Sequence, residues 1–254
     1  MIISTWNVNS LTARWPRVEA WLLEKKPDVL LVQETKQNDA KFPFGAIADL
    51  DYEAAHYGQG QWNGVAVLSR VGLEDVARGF GDDDPEARII GATCAGVRVY
   101  SCYVPNGRAL DDPHYAYKLR WLAQLRELVE RRDLATPLVV GGDFNVAPSD
   151  LDCYDPSLFV GATHVSGPER ESLRALEATG LVDLTRALNP DEPCYSCGTI
   201  ETGPSTGAGG CALTCSTSTG RCVSARRRVT STATRARARS PRTTRRWSES
   251  SPTN

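Results

Sequence analysis

Short apolar runs alternate with polar, turn-forming segments along the first 196 residues. Runs of this length that are bounded by glycine, proline or asparagine are typical of β-strands. The predicted strands are Ile2–Trp6, Asp28–Val32, Gly64–Leu68, Arg88–Cys94, Val97–Val104 and Pro137–Val140. Strands outnumber helices and many are consecutive, so the pattern favours α and β layers with a largely antiparallel component over a doubly wound parallel sheet.

Three segments carry apolar residues at mostly helical spacing. A helix is predicted between the first two strands, with an apolar face that contains Val18, Trp21, Leu22 and Leu23. The second predicted helix spans His114–Arg132, and the third spans Pro168–Gly180, where the glycine is a typical helix stop.

The hydrophobic pattern ends at Cys197. Residues 1–196 carry a net charge of −10, whereas residues 197–254 carry +8, with ten arginines, no lysine, and neither phenylalanine nor tyrosine. The few large apolar residues of this tail follow neither the two-residue nor the 3.6-residue period, so they form no face that could bury surface. We therefore expect residues 1–196 to form the folded domain and residues 197–254 to be disordered.

Length and composition set the protein class. A chain of 254 residues with 41% hydrophobic content fits one soluble domain with a large core. It contains no apolar run of about 18 residues and no secretory signal at its amino terminus, which predicts a cytoplasmic protein without a membrane segment. The eight cysteines are irregularly spaced, so reduced thiols are expected.

Four segments at predicted strand ends supply polar groups of one kind. They are Ser4–Asn9, Val32–Lys36, Tyr103–Gly107 and Gly141–Asn145. Asp143 and Asn145 are two apart on a segment predicted to be extended, so their side chains should leave the same face while Phe144 points away. A carboxylate and a carboxamide would then meet at one point.

Glu34 ends an apolar strand, where a bare carboxylate is costly unless it is paired or binds a cation. Oxygen ligands of this kind suit Mg²⁺ or Mn²⁺, whereas zinc would need histidines and cysteines that these segments lack. Taken singly, each signal has an ordinary explanation. Glu34 alone is more often a surface or capping residue, Asp143 with Asn145 is more often a turn, and Tyr103 alone is more often a packed aromatic.

Together and in order, these segments resemble the exonuclease III family of the metal-dependent endonucleases, exonucleases and phosphatases. The similarity runs from Met1 to Ser196 and includes non-catalytic stretches, namely Gln33–Lys36, Gly141–Asp152 and Gly180–Asp183. Phosphatases and sphingomyelinases of the superfamily share the Asn, Glu and Asp-x-Asn motifs but generally lack the Pro-Ser-Asp-Leu-Asp extension. DNA is therefore the expected substrate.

The resemblance implies a four-layer α/β/β/α sandwich that removes nucleotides 3′ to 5′ from double-stranded DNA and incises abasic-site DNA. We expect the protein to be a monomer. It implies that Glu34 binds the metal with support from Asn7. Tyr103 and Asn145 would hold the scissile phosphate, and Asp143 would align or deprotonate the attacking water. Because the body carries −10, DNA binding must rely on local lysine and arginine patches.

The family pattern requires three further segments after Ser196, including a final Ser-Asp-His-Ala-Pro. None of the three histidines of the chain is followed by Ala-Pro. Read from the third base of each codon, however, Gly198–Glu201 can encode Asp-Tyr-Arg, Ala208–Thr214 can encode Trp-Gly-Leu-Arg-Ile-Asp, and Arg242–Trp247 can encode Asp-His-Ala-Pro-Val. Loss of one G from codons for Trp-Trp-Asp would create Cys197 and Gly198. The sequence thus predicts a frameshift, and we call the product of the repaired frame the frame-restored protein.

The tail has two competing interpretations. Cys197, Cys211, Cys215 and Cys222 lack the paired short spacings of zinc ribbons, and the arginine-rich run 226–246 would bind DNA only incidentally. Two alternative functions also stay open, namely a non-catalytic DNA-binding remnant and another phosphodiesterase of the superfamily. The 254-residue chain with its tail unchanged, which we call the printed chain, is expected to be unstable and essentially inactive.

Overall fold

Two β-sheets with helices on their outer sides make up the computed structural model, which describes residues 1–81, 86–153 and 155–192, and the backbone of 212–215. The strands are β1 (Ile3–Asn7), β2 (Val29–Gln33), β3 (Glu53–Tyr57), β4 (Val65–Ser69), β5 (Glu74–Arg78), β6 (Ile89–Cys94), β7 (Val97–Tyr103), β8 (Leu138–Asp143), β9 (Leu181–Asp183) and β10 (Ala212–Cys215). The helices are α1 (Leu11–Lys25), α2 (Phe44–Ala48), α3 (Pro113–Glu130), α4 (Gly167–Glu177) and α5 (Leu184–Leu188). Short 3₁₀ turns occur at Asp39–Lys41, Asp150–Asp152 and Pro156–Phe159.

The first sheet has the order β1-β2-β4-β3, in which β1 and β2 are parallel and the other pairs are antiparallel. Strand β2 is buried along its whole length because it is apolar on both faces. Leu30 and Val32 pack toward α1, and Val29 and Leu31 pack toward the second sheet. Continuous apolar sequence of this kind is what a strand covered on both sides requires.

The second sheet has the order β5-β6-β7-β8-β10-β9. Within the part of this sheet that the structure describes, only β7 and β8 run parallel, with Tyr103 opposite Asp143 in the register. Among the described strands, each sheet therefore has one parallel pair, and polar residues predicted at strand ends follow these two pairs.

Three apolar clusters separate four layers. One lies between α1 and the first sheet and includes Val18 and Leu22, and another lies between the two sheets and includes Val67 and Val99. The third packs α3 and α4 onto the second sheet and includes Trp121. The predicted α/β/β/α fold class is therefore confirmed. No helix in the described ranges combines the length and apolar character that a membrane crossing requires.

Several elements differ from the sequence prediction. Leu23 was expected on the apolar face of α1, but 56% of it is exposed, because it follows Leu22 by 100° around the helix. Strands β3 and β5 were not predicted, and every residue of β5 is exposed, so no alternation marks it. These are the weak points of a prediction that depends on hydrophobic periodicity.

The predicted disordered tail contains one described element. Residues 212–215 form β10, which pairs antiparallel with β8 and with β9. Without it, β8 and β9 would each present unpaired backbone groups, and an extended segment can satisfy these largely independently of its side chains. At these four residues the structure differs from the predicted coil. The remainder of the predicted tail, residues 197–211 and 216–254, lies outside the described residues.

A buried histidine makes stability depend on pH. His56 is fully buried, with Nε2 2.8 Å from Thr35 Oγ1 and Nδ1 2.8 Å from Asp39 Oδ1. Burial lowers the pKa of His56 to about 4, although the Asp39 carboxylate opposes this. Because the unfolded chain binds the proton near pH 6.5 and the folded chain does not, stability should fall by about 2 kcal/mol between pH 6.5 and pH 5.

Urea unfolding at several pH values measures this effect. A His56→Gln variant, which cannot titrate in this range, should show a correspondingly shallower decline between pH 6.5 and pH 5. Equal pH slopes in the two proteins would contradict the assignment.

Candidate active site

Asn7 and Glu34 come together at the carboxyl ends of the parallel strands β1 and β2. Asn7 ends β1 opposite Gln33, and Glu34 follows directly in a left-handed conformation with φ of 54°. Asn7 Nδ2 donates to Glu34 Oε1 at 2.7 Å. The other Glu34 oxygen lies 2.9 Å from Lys36 Nζ. The two residues that the resemblance assigns to the metal are therefore in direct contact.

Asp143 joins them from the second sheet. Asn7 Nδ2 also donates to Asp143 Oδ2 at 2.8 Å, so one amide group bridges two carboxylates on different sheets. Gly142 precedes Asp143 with φ of 152°, and a Cβ atom there would lie 1.9 Å from the Cys102 carbonyl oxygen. Only glycine lets β8 approach β7 this closely, and this approach sets where the carboxylate emerges.

The two sheets are fastened together directly beneath the site. Gln33 is fully buried, and its Nε2 donates to Ser101 Oγ on β7 at 2.9 Å. Ser101 Oγ donates in turn to the carbonyl oxygen of Val32 at 2.9 Å. These hydrogen bonds span the sandwich one residue before Glu34 and two residues before Tyr103, so they fix the distance between the two sheet edges.

Asn145 reaches the site differently from the prediction. The expected extended segment with a shared face for Asp143 and Asn145 is wrong, because β8 ends at Asp143 and Asn145 adopts a left-handed φ of 50°. The backbone N–H of Asn145 donates to Asp143 Oδ1 at 3.0 Å, and its side-chain Nδ2 donates to the Val104 carbonyl oxygen at 2.9 Å. A turn therefore joins the two residues, although Phe144 does point away into the core.

The two carboxylates have opposite pKa shifts. Burial raises the pKa of Glu34, but the Asn7 hydrogen bond and the Lys36 ammonium outweigh this and hold it below its ordinary value. Burial raises the pKa of Asp143 above its ordinary value, and the nearby Glu34 charge adds to this effect. Glu34 is thus suited to remain ionised, and Asp143 is suited to accept a proton.

Tyr103 lies close enough to Glu34 for the two groups to interact electrostatically. Burial raises the pKa of Tyr103 and the Glu34 charge raises it further, so the phenol keeps its proton and is a hydrogen-bond donor. The Arg88 guanidinium stacks 4.7 Å from the centre of the Tyr103 ring, and its Nη1 donates to the Tyr103 carbonyl oxygen at 3.3 Å. This cation–π contact fixes the orientation of the ring.

The donor set fits a hard divalent cation. The available ligand atoms are carboxylate and amide oxygens, and within the described ranges no cluster of three histidine, cysteine, aspartate or glutamate residues is found. Sites with few protein carboxylates are typical of Mg²⁺, which retains several of its waters. The Lys36 ammonium lies at Glu34 Oε2, so this carboxylate is already paired with a positive charge.

The structure adds residues that the sequence analysis did not single out. Besides Lys36 and Arg88, His164 Nε2 lies 3.2 Å from Asn106 Nδ2, beside the loop that follows β7. Lys118 lies fully buried under the same loop. Its position on the apolar stripe of α3, three and four residues before Trp121 and Leu122, was a readable signal. Of the positions after Ser196 where the family segments are expected, only 212–215 are described, and these form β10.

Comparison with known proteins identifies the family. The profile of the endonuclease/exonuclease/phosphatase family matches residues 4–247. Exodeoxyribonuclease III of Haemophilus influenzae is 32% identical over 200 residues, which cover 73% of this chain and 75% of that protein. The predicted resemblance to exonuclease III is therefore confirmed.

Solved structures agree with this result. A 3′-5′ exonuclease from Neisseria meningitidis superposes with a TM-score of 0.79 and 38% identity, over 85% of this chain and 87% of that chain. An AP endonuclease from Archaeoglobus fulgidus gives a TM-score of 0.77 and 34% identity, again over 85% and 87% of the two chains. By sequence and by structure, the chain belongs to the endonuclease/exonuclease/phosphatase family.

Proposed function

We propose that this protein hydrolyses phosphodiester bonds of DNA with Mg²⁺ or Mn²⁺, removing nucleotides 3′ to 5′ and incising abasic sites. The observation that carries this proposal is the bridge from Asn7 Nδ2 to both Glu34 and Asp143, at 2.7 and 2.8 Å. It brings together one carboxylate suited to a cation and one suited to a water molecule. The family membership of the chain, with its exodeoxyribonuclease and AP endonuclease relatives, supports DNA as the substrate.

Glu34 and Asn7 would hold the cation, which when bound neutralises charge on the phosphate oxygens and the leaving oxygen. Asp143 would orient the attacking water and accept its proton. Each Asp143 oxygen accepts one hydrogen bond from the protein and keeps a lone pair for water. Its raised pKa, caused mainly by burial, favours this proton transfer.

Tyr103 and Asn145 would bind the scissile phosphate. The protonated Tyr103 hydroxyl can donate to a phosphate oxygen, and Asn145 Nδ2 retains a second proton after its bond to Val104. Both groups are fixed in advance, Tyr103 by Arg88 and Asn145 by its turn. Such preorganised donors are the usual means of stabilising charge in a transition state.

Residues 1–196 carry a net charge of −10, but local cations and an exposed aromatic residue near the site are suited to binding DNA. Arg108 follows Asn106 and is largely exposed, and Lys36 is partly exposed beside Glu34. Trp62 is 66% exposed, and the next residue, Asn63, accepts a hydrogen bond from the Lys36 backbone N–H. Charges that contact phosphates and a ring that stacks on bases suit double-stranded and abasic-site DNA. We further propose that the protein acts in the cytoplasm and that it is a monomer.

Removing the Glu34 carboxylate should weaken metal use selectively. In the frame-restored protein, Glu34→Ala should raise the Mg²⁺ concentration for half-maximal rate more than about tenfold, since the loss of a mere second-shell partner already costs about 10–100-fold. Initial rates on 3′-labelled duplex and on abasic-site duplex, measured across a Mg²⁺ titration, test this prediction.

Glu24→Ala is the matched control, because Glu24 also pairs with a nearby lysine, Lys25, but is 69% exposed on α1. It should leave the Mg²⁺ dependence unchanged. An unaltered titration in Glu34→Ala would remove Glu34 from the metal site. A frame-restored protein that hydrolyses neither DNA at any Mg²⁺ or Mn²⁺ concentration would refute the proposed function.

A further inference from the structure

An ion pair lies fully buried behind the active site. Lys118 on α3 and Glu169 on α4 both have no solvent exposure, and Lys118 Nζ lies 2.5 Å from Glu169 Oε1. Burial raises the pKa of Glu169, but the Lys118 ammonium outweighs this and the pKa lies below its ordinary value. A buried pair is weak evidence for stability, because apolar residues of similar volume often serve as well. The other contacts of the pair therefore indicate its role.

Lys118 donates hydrogen bonds to the backbone of two loops. One loop carries Asn145, a predicted phosphate ligand, and the other follows Tyr103. Lys118 Nζ lies 2.6 Å from the carbonyl oxygen of Asn145 and 3.1 Å from the carbonyl oxygen of Asn106. Asn145 follows β8, and Asn106 follows β7. One ammonium group therefore ties together two loops from neighbouring parallel strands.

The lysine stem also fits closely under the second of these loops. Gly107 has φ of 93°, and a Cβ atom there would come within 3.1 Å of Lys118 Cδ. The loop thus rests directly on the aliphatic part of the lysine. Displacing Lys118 would leave the Asn106 loop without this contact and without its carbonyl partner.

Glu169 holds the lysine from a rigid element. Its second oxygen, Oε2, accepts from Ser166 N at 3.0 Å and from Ser166 Oγ at 2.7 Å, which closes a capping box at the start of α4. Both carboxylate oxygens are thereby engaged, and the carboxylate cannot rotate away from Lys118. The helix cap therefore holds Glu169, Glu169 holds Lys118, and Lys118 holds the two loops.

We propose that Lys118, held by Glu169, is a positioning residue that sets the Asn145 and Asn106 loops for binding the scissile phosphate. The proposal rests on the proposed function for its catalytic consequence but not for its geometry. Asn145 adopts a left-handed backbone conformation, and its side chain bonds to Val104 while its N–H bonds to Asp143. The ammonium adds a third restraint, on the carbonyl oxygen of the same residue.

The test removes both charges at once. Lys118→Met alone would leave the Glu169 carboxylate buried and unpaired and could prevent folding. The Lys118→Met/Glu169→Gln double variant avoids this, and its glutamine still offers a carbonyl oxygen to Ser166. The matched control is Arg174→Met/Glu171→Gln, which removes an exposed ion pair from the same helix.

Two readouts separate positioning from general stability. The first is hydrogen exchange, in the full 254-residue chain, of the Asn145 amide bonded to Asp143 Oδ1 and of the Arg108 amide bonded to Asn106 Oδ1. The second is the division between kcat and KM for duplex DNA in the frame-restored protein. The double variant should exchange both amides at least tenfold faster, with unchanged exchange in β8 and α4, and kcat should fall at least tenfold while KM stays within threefold.

Unchanged exchange of these two amides, or an unchanged kcat, would overturn the proposal. A uniform rise in exchange that includes β8 and α4 would also overturn it, because the pair would then serve stability alone. If no frame-restored protein hydrolyses DNA, the proposed function fails, whereas the exchange measurement still decides whether Lys118 restrains the two loops.

Discussion

Replacing Asp143 by asparagine should abolish hydrolysis while leaving DNA binding nearly intact. The substitution keeps the shape of the side chain and an oxygen that can accept from Asn145 N–H. It removes the group that accepts the proton of water, and such a general base contributes about 10²–10⁴-fold to the rate. Because Glu34 and its Lys36 partner are untouched, the affinity for Mg²⁺ should change less than the rate does.

Single-turnover cleavage of a 3′-labelled duplex at saturating Mg²⁺, beside fluorescence anisotropy of the same duplex, gives both quantities in the frame-restored protein. Asp112→Asn is the control, because Asp112 caps α3 by accepting from His114 N, and asparagine caps a helix equally well. It should cleave normally. A rate for Asp143→Asn within threefold of the unaltered protein would remove Asp143 from the mechanism.

The placement of polar residues at strand ends could be predicted from the sequence. Asn7, Glu34, Tyr103 and Asp143 each end or follow a strand whose apolar run is visible in the sequence. Parallel neighbours bring their carboxyl ends to one sheet edge, so locating the strands nearly located the residues. Which strands are neighbours could not be read from periodicity, because strand pairing depends on contacts between distant segments.

Other features depend on contacts that no local pattern records. The contact of the Asn145 N–H with Asp143 is local and typical of a turn, but the partners of its carbonyl oxygen and side chain, Lys118 and Val104, lie far away in sequence. Strand β5 has no buried residue, so only its pairing with β6 defines it. Lys118 is different, since a lysine on the apolar stripe of a predicted helix announces a buried charge, and its partner Glu169 lies at the capping-box position after Ser166.

The frame of the gene after Ser196 should decide whether the protein works. The sequence predicts that the repaired frame restores an Asp-His-Ala-Pro segment, and in the related family that histidine lies against the phosphate. Losing a group that stabilises transition-state charge costs about 10²–10³-fold in rate. The printed chain should therefore release 3′ nucleotides at least about a hundredfold more slowly than the frame-restored protein.

Stability should separate the two proteins as well. In the printed chain, β8 and β9 are bridged by residues 212–215, in a tail that the sequence predicts cannot bury an apolar face. Ordering each tail residue costs about 1–2 kcal/mol of backbone entropy, which scattered apolar residues do not offset. Apolar surface that the tail leaves uncovered then promotes aggregation, so the printed chain should unfold at a lower temperature and associate in solution.

Resequencing the gene and expressing both forms tests these expectations together. The measurements are Mg²⁺-dependent release of 3′ nucleotides, thermal unfolding and light scattering, each made side by side on residues 1–254 as printed and on the frame-restored protein. A gene without an Asp-His-Ala-Pro frame would end the frameshift interpretation. A soluble, monomeric printed chain with comparable activity would mean that the tail folds and supplies the missing chemistry itself. The three histidines within residues 1–196 do not replace the missing one, because His56 is buried beside Thr35, His114 lies in α3, and His164 contacts Asn106.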